Sequence, residues 1–442
     1  MTWTAALRPA LVACLMGALT ADAIAQTARG AAREPLQLPA LQREALDRDA
    51  RAKELDLLSA QSALRVRNIE AERLPSVSVL AQTQYQSDVP ASPFTLANGQ
   101  PAFAAAKDTY DASVRVDQRI IDPAASARLA VARADLAESQ ARVRSTLFAL
   151  KTEVNEAFFA AALLQEQLGA LAATLADLEA RLRETAARVR EGTALSGEAA
   201  AIEATLLQQR QRADELRAGR GVALARLAAL TGRSMADDDT VALPELGDAV
   251  VQARNGLERL RARPEYEQFD RARDRAARQQ DLAGALDRPQ VSAFGRAGYG
   301  KPGLNFISDR FESYALGGVQ LQWKAWTWGS SGREREALAL QQSIVTAEEM
   351  AFTDGLRRAI QQDLAAIDRL QAALVTDDRI IALREAIQRA SQSRLREGVI
   401  TASDYVDRET ERLGAEFDRA RHRVELAQAR ARVLTTLGLE VQ

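Results

Sequence analysis

From Asp122 to Val189 the chain contains one glycine, Gly169, and one proline, Pro123, which falls in the first turn, where a helix tolerates it. An unbroken helix over that span is a rod of roughly 100 Å at about 1.5 Å per residue. No compact globule needs an element of that length. A seven-residue apolar repeat runs along it, with Leu136, Val143, Leu150, Ala157, Leu164, Leu171 and Leu178 in one row. Leu147, Val154, Ala161, Leu168, Leu175, Leu182 and Val189 form the row four residues on. Such a seam predicts left-handed coiled-coil packing against a neighbour. A weaker copy, Ile360, Ile367, Leu374 and Ile381, lies in the second half. Rods of this kind also suit a scaffold protein or a periplasmic adaptor, so other segments must decide.

The same landmarks occur twice in the same order, about 200 residues apart. Leu38-Pro39 returns as Leu243-Pro244, and Leu74-Pro75-Ser76-Val77-Ser78 as Arg288-Pro289-Gln290-Val291-Ser292. Tyr85 returns as Tyr299, Tyr110 as Tyr314, Arg190-Glu191-Gly192 as Arg396-Glu397-Gly398, and Thr231-Gly232 as Leu437-Gly438. The interval between the paired tyrosines differs between the copies, which marks it as a loop. Each unit reads as helix, strand, long loop, strand, very long helix, tight turn and returning helix. The first repeat covers residues 26–232, with strands at about 75–87 and 108–121 and a helical hairpin over 122–232. The second covers 233–442, opening on a linker and helix, with strands at about 289–300 and 312–325 and a hairpin over 328–438.

Residues 1–25 read as a secretory signal peptide: Arg8, an apolar run from Ala10 to Leu19, then Ala23-Ile24-Ala25 as the cleavage site. Leu11-Val12-Ala13-Cys14 has the order of a lipoprotein box, but the apolar run before Cys14 is too short for a signal core, and lipidation is not expected. Cys14 is the only cysteine and His422 the only histidine. Cleavage therefore leaves no thiol, which argues against Cys/His catalysis and most zinc sites. Asp237-Asp238-Asp239 sits in the linker and reads as solvated charge rather than a metal site. With 58 basic against 60 acidic residues, the balance gives no support to nucleic-acid binding. No enzyme activity and no cofactor are expected. Beyond the leader no run of eighteen or more apolar residues occurs, so entry into a membrane would require a β-barrel.

Four segments alternate with period two. Val77, Val79, Ala81, Thr83 and Tyr85 stand against Ser76, Ser78, Gln82, Gln84 and Gln86, broken only by Leu80. Tyr110, Ala112, Val114, Val116 and Ile120 face away from Asp111, Ser113, Arg115, Asp117 and Arg119. Val291, Ala293, Gly295, Ala297 and Tyr299 oppose Ser292, Arg296 and Gly298, and Val319, Leu321, Trp323 and Ala325 oppose Gln320, Gln322 and Lys324. Alternation over some ten residues with aromatic ends is the pattern of a transmembrane barrel strand. Tyr85, Tyr110, Tyr299 and Tyr314 at one end, and Trp323, Trp326 and Trp328 at the other, suit two aromatic girdles. Four strands cannot close a barrel, so several copies must share one, with the charged residues lining its lumen. The fold class is an α+β membrane protein with an internal duplication.

In these features the chain resembles the TolC family of outer-membrane channel proteins over essentially the whole mature sequence. The resemblance rests on the duplicated strand–loop–strand–long-helix order and the Leu74-Pro75 and Arg288-Pro289 strand openings. The Trp326-Thr327-Trp328-Gly329 helix entry and the turns Arg190-Glu191-Gly192-Thr193 and Arg396-Glu397-Gly398-Val399 add to it. It implies a homotrimer whose barrel takes four strands from each chain, twelve in all, continuous with a periplasmic tunnel of packed helices in coiled-coil contact. It further implies contact with outer-membrane lipid, a periplasmic adaptor docking on the turns at Gly192, Thr193, Gly398 and Val399, and an inner-membrane pump, proton-driven or ATP-driven. Small-molecule efflux and type I protein secretion both fit that fold.

The resemblance places an acidic pair, Asp404 and Asp407, at a pore constriction, with Glu198 matching Asp404 in the first repeat. Independently, three-residue spacing puts both carboxylates on one helical face, and symmetry would gather them into a cation-favouring ring. Asp404 also fits a capping box with Thr401, whereas Asp407 lies too far into the helix to cap. Leu395 and Ile400 stand where well-known members carry a tyrosine and an arginine that help lock the entrance. This chain therefore departs from that lock, with Arg394 and Arg396 as candidate basic partners. At Gly192 and Gly398 a left-handed helix stop is expected alongside any docking role.

Overall fold

A computed structural model describes residues 34–94, 96–99, 103, 105–254, 257–305 and 308–441. The leader over 1–25, with Cys14, lies outside the described residues. Helix α1 (Leu38–Arg48) starts with Pro39 in its first turn and is followed by α2 (Ala52–Ala71). Strands β1 (Ser76–Tyr85) and β2 (Asp108–Ile121) lead into α3 (Ala124–Arg190), which returns as α4 (Ser196–Thr231). The second repeat has a short α5 (Gly247–Arg254) and a 3-10 turn (Leu257–Ala262), then α6 (Pro264–Leu286), β3 (Gln290–Lys301) and β4 (Glu312–Gln322). It ends on α7 (Ser330–Arg396) and α8 (Ala402–Thr436). Helices α3 and α7 have 67 residues each, so both are rods of roughly 100 Å.

The four strands make one antiparallel sheet in the order β1-β2-β3-β4, with the outer edges of β1 and β4 unpaired among the described residues. Helices α2 and α4 lie along α3, while α6 and α8 lie between α3 and α7. Arg275 bridges to Glu138 at 2.9 Å and Arg273 to Glu349 at 2.5 Å, fixing α6 to both long helices. The main core is at the waist of this bundle. There Leu150, Val154 and Phe158 of α3 meet Leu227 of α4, Ile367 of α7 and Leu434 of α8. A buried polar link threads it, with Gln42 donating to Asn155 at 2.6 Å and Asn155 donating to Thr435 at 3.2 Å. The α3 seam residues Val143, Leu150, Ala157, Leu171 and Leu178 are buried.

One window of α3 reaches a mean hydropathy of 1.3, enough by length and composition to cross a membrane. The sequence shows no such run because Gln and Glu interrupt it. In the structure α3 is a bundle helix, with Phe158, Phe159, Ala161 and Ala162 buried in the waist core. The duplicated starts meet in space: Leu36 and Val241, each two residues before a Leu-Pro pair, form a parallel bridge. On the β4 side α7 leaves an uncovered row, Leu340 and Ile344 higher up and Ile380, Leu383 and Ile387 lower down, at heptad-like spacing. On the β1 side α2 exposes Leu57 and Leu64.

Candidate functional site

The sheet has two chemically distinct faces, and its register sets them residue by residue. On one face Val79, Val114, Ala297 and Ala315 lie side by side, as do Val77, Val116, Gly295 and Gly317. Val79 and Val319 are 79% and 69% exposed, which no soluble sheet without a covering layer favours. The other face forms a grid. Its first row across the strands is Gln82, Asp111, Gly300 and Glu312, and the next is Leu80, Ser113, Gly298 and Tyr314. Then come Ser78, Arg115, Arg296 and Leu316, followed by Ser76, Asp117, Phe294 and Gly318.

This register corrects three expectations. Tyr314 does not join the girdle with Tyr85, Tyr110 and Tyr299; it lies opposite Gly298 on the polar face, where its hydroxyl donates to Asp111. A Cβ at Gly298 would sit 2.6 Å from that ring, so only glycine admits it. Phe311 takes the vacant girdle position, 5.9 Å from Tyr110 and stacked at 5.6 Å on Tyr299. Ile120 is displaced from the apolar row by an irregularity between Arg119 and Ile121, so Ile121 is the residue opposite Val291. Strand β4 closes at Gln322, which leaves Trp323 and Ala325 outside it. Trp323 donates to the Asp287 carbonyl at 2.9 Å, and Trp326 packs edge-on against Trp328 at 5.8 Å. All three tryptophans are exposed at the helix end of the sheet, opposite the tyrosines.

At the far end of the helices the two turns repeat one geometry. Gly192 and Gly398 both have φ of 73°. Thr193 donates to the Arg188 carbonyl and Gly192 to Val189, while Val399 donates to Arg394 and Gly398 to Leu395. Each helix thus ends in the same Schellman closure. Thr193, Gly192, Glu198, Val399, Gly398 and Asp404 line one cleft between the turns. Leu195 lines it as well, and both Leu195 and Val399 are exposed there.

Asp404 completes a capping box: it accepts from the Thr401 amide at 3.0 Å and hydroxyl at 2.7 Å, and its own amide donates to the Thr401 hydroxyl at 3.2 Å. These Thr401 hydrogen bonds, with Arg408 nearby, hold its carboxyl below the usual range. Asp407 is exposed one turn further on and does not line the cleft.

No family model matches the sequence, and no curated protein matches it by sequence. Solved structures do match by fold. That of CusC, whose transmembrane channel formation it describes, superposes with a TM-score of 0.71 at 13% identity, over 91% of this chain and 92% of that one. The outer membrane protein VceC of Vibrio cholerae gives 0.67 at 16% identity, over 92% of this chain and 97% of that one. The outer membrane channel CmeC of Campylobacter jejuni gives 0.67 at 14%, over 91% and 85%. This chain has the fold of the outer-membrane channel proteins.

Within that channel fold, Leu395 and Ile400 serve an apolar cluster rather than a polar contact. Leu395 is buried with Leu178, Ile202, Leu206, Ala402 and Val406, and Ile400 packs on their edge. Arg396 stands 3.7 Å from Glu184, and Arg188 donates to the Leu395 carbonyl at 3.4 Å. A buried polar contact between the repeats here was not visible in the sequence. The fully buried Tyr405 of α8 donates to Asp177 of α3, and Arg412 of α8 donates to Thr174 of α3 at 3.1 Å while pairing with Glu409 and Glu416. Burial, reinforced by the Asp177 carboxylate, pushes the Tyr405 phenol up, so it stays a donor across the physiological range.

Proposed function

We propose that three copies of this chain form an outer-membrane exit duct, the passive channel of a tripartite export system, with its helices in the periplasm. The observation that carries this reading is a four-stranded sheet with an exposed apolar face and two unpaired edges, set on helices of 67 residues. An apolar sheet face of this kind is stable in lipid, and unpaired edges are removed only by closure with further strands. Three copies supply the twelve strands that the family resemblance implies. The uncovered rows on α7 and α2 flank the same two edges, so one contact between copies covers both.

The turns at Gly192 and Gly398 are the docking place for a periplasmic adaptor, which couples the duct to an inner-membrane pump. Asp407 and Glu198, with Asp404 beyond its capping role, supply the acidic constriction under threefold symmetry. Small-molecule efflux is the reading favoured over type I protein secretion. Two experiments test this. Fractionation should place the mature protein in the outer membrane as a heat-modifiable trimer; a soluble periplasmic protein would reduce it to a coiled-coil adaptor. Thr193→Cys and Val399→Cys, crosslinked in cells, should capture an adaptor together with a proton-driven pump. Capture with an ATP-driven exporter would mean secretion, and a trimer that captures nothing would remove the docking role.

A further inference from the structure

The middle of the polar sheet face is not a plain hydrophilic wall. Arg115 and Arg296 lie directly opposite each other on β2 and β3, an arrangement that repels unless something compensates. Each guanidinium turns away from the other. Arg115 grips Asp117 through Nε and Nη2 at 2.9 to 3.0 Å and sits 5.2 Å from the centre of the Phe294 ring. Arg296 pairs with Asp111, donates through Nε to the Ser113 hydroxyl at 3.0 Å and sits 5.6 Å from the Tyr314 ring. Both rings pack over a glycine on the neighbouring strand: Gly318 faces Phe294 and Gly298 faces Tyr314, and a Cβ at either would press on the ring. Leu316 completes the middle row beside Arg296.

We propose that this surface is a binding platform for planar aromatic organic anions passing through the lumen. The proposal rests on the barrel reading above, which turns this face inward. Arg115 sits over Phe294, its Nη1 makes no hydrogen bond among the described residues, and its side chain is 44% exposed. A guanidinium stacked on one ring accepts a second ring on its free face, and its remaining N–H groups bind a sulfonate, carboxylate or phosphate. Two residues along a strand span about 7 Å, the breadth of a two-ring aromatic. Asp117 and Asp111 balance the two guanidiniums, so the platform selects on the aromatic ring as much as on charge and holds an aromatic, amphipathic solute weakly enough to move on.

The test uses the purified full-length trimer in planar bilayers, with naphthalene-1-sulfonate as probe and inorganic sulfate as its non-aromatic control. Naphthalene-1-sulfonate should interrupt the current of the native channel, and sulfate should not. Phe294→Leu and Arg115→Gln, each checked as a heat-modifiable trimer with near-native conductance in salt, should each raise the half-blocking concentration about tenfold. Equal block of the native and both variant channels, or equal block by sulfate, would overturn the platform while leaving the channel intact. A native trimer that conducts nothing would overturn the channel reading and the platform with it.

Discussion

Replacing Tyr405 with phenylalanine isolates one hydrogen bond between the two repeats. The ring stays in its apolar cluster with Leu178, Ile202 and Leu206, and what is lost between the repeats is the donor to Asp177, together with a longer 3.4 Å bond that Gln388 of the same repeat donates to the hydroxyl. A hydrogen bond to a charged acceptor contributes about 1.5–3 kcal/mol. Asp177 keeps Arg181 at 3.6 Å and is 23% exposed, so the carboxylate finds partial compensation and the loss falls near the lower end, about 1.5 kcal/mol. That corresponds to roughly a tenfold rise in local opening. Amide hydrogen exchange, followed by mass spectrometry on the full-length protein, should be about tenfold faster in the first turns of α8 and unchanged at the waist. Combining Tyr405→Phe with Asp177→Asn should show coupling of about 1–2 kcal/mol in a double-mutant cycle. Uniform acceleration along α8, or additive single effects, would show that Tyr405 acts by packing alone.

Phe158→Ala, made in the fully buried waist core, should cost about 3–5 kcal/mol and lower the temperature at which helical circular dichroism is lost. Gly398→Ala meets no atom within 4 Å, so only its φ of 73° resists the change. It should cost about 1–2 kcal/mol, seen as faster exchange at the end of α7, and the matching Gly192→Ala should behave alike. Because the Asp404 carboxyl is held below its ordinary 3.8, its capping contribution is complete above that pH and disappears as pH falls through the lowered value. The protection of amides in the first turn of α8, taken relative to their intrinsic exchange at each pH, should therefore fall below about pH 4, and Thr401→Val should flatten that dependence. Gly298→Val drives a side chain into Tyr314, and loss of the heat-modifiable trimer or a broadened Tyr314 signal would register it.

Much of the architecture was legible because it rests on period alone. The Asp122–Val189 run and the alternation of Val77, Val79 and Ala81 need no tertiary knowledge. Tyr314 was misplaced by following the repeat, which pairs it with Tyr110, instead of the parity of its own strand. Val319 and Leu321 occupy odd positions and Tyr314 an even one, so the signal for the opposite face was present. The irregularity beside Ile120 has no such signal, since either isoleucine satisfies the pattern. Asp177 and Tyr405 are 228 positions apart, and their meeting depends on how two rods slide against each other. A heptad leaves that offset open. Asp404 shows the opposite case: its capping role follows from four consecutive residues and was readable at once.

The sheet described above also constrains the order in which the molecule can be built. β1–β2 and β3–β4 are local hairpins, each complete within one repeat, but the joint between them pairs Tyr110 with Lys301. Closing that joint means ordering a connection that contains an entire helical hairpin, and contacts so remote in sequence form late. Until then the first hairpin presents two open edges to every other copy of itself. The duplication that makes the fold economical thus supplies its most plausible error, a β2 edge paired with the wrong strand. A chaperone that shields unpaired strands during transit would be worth most during this interval.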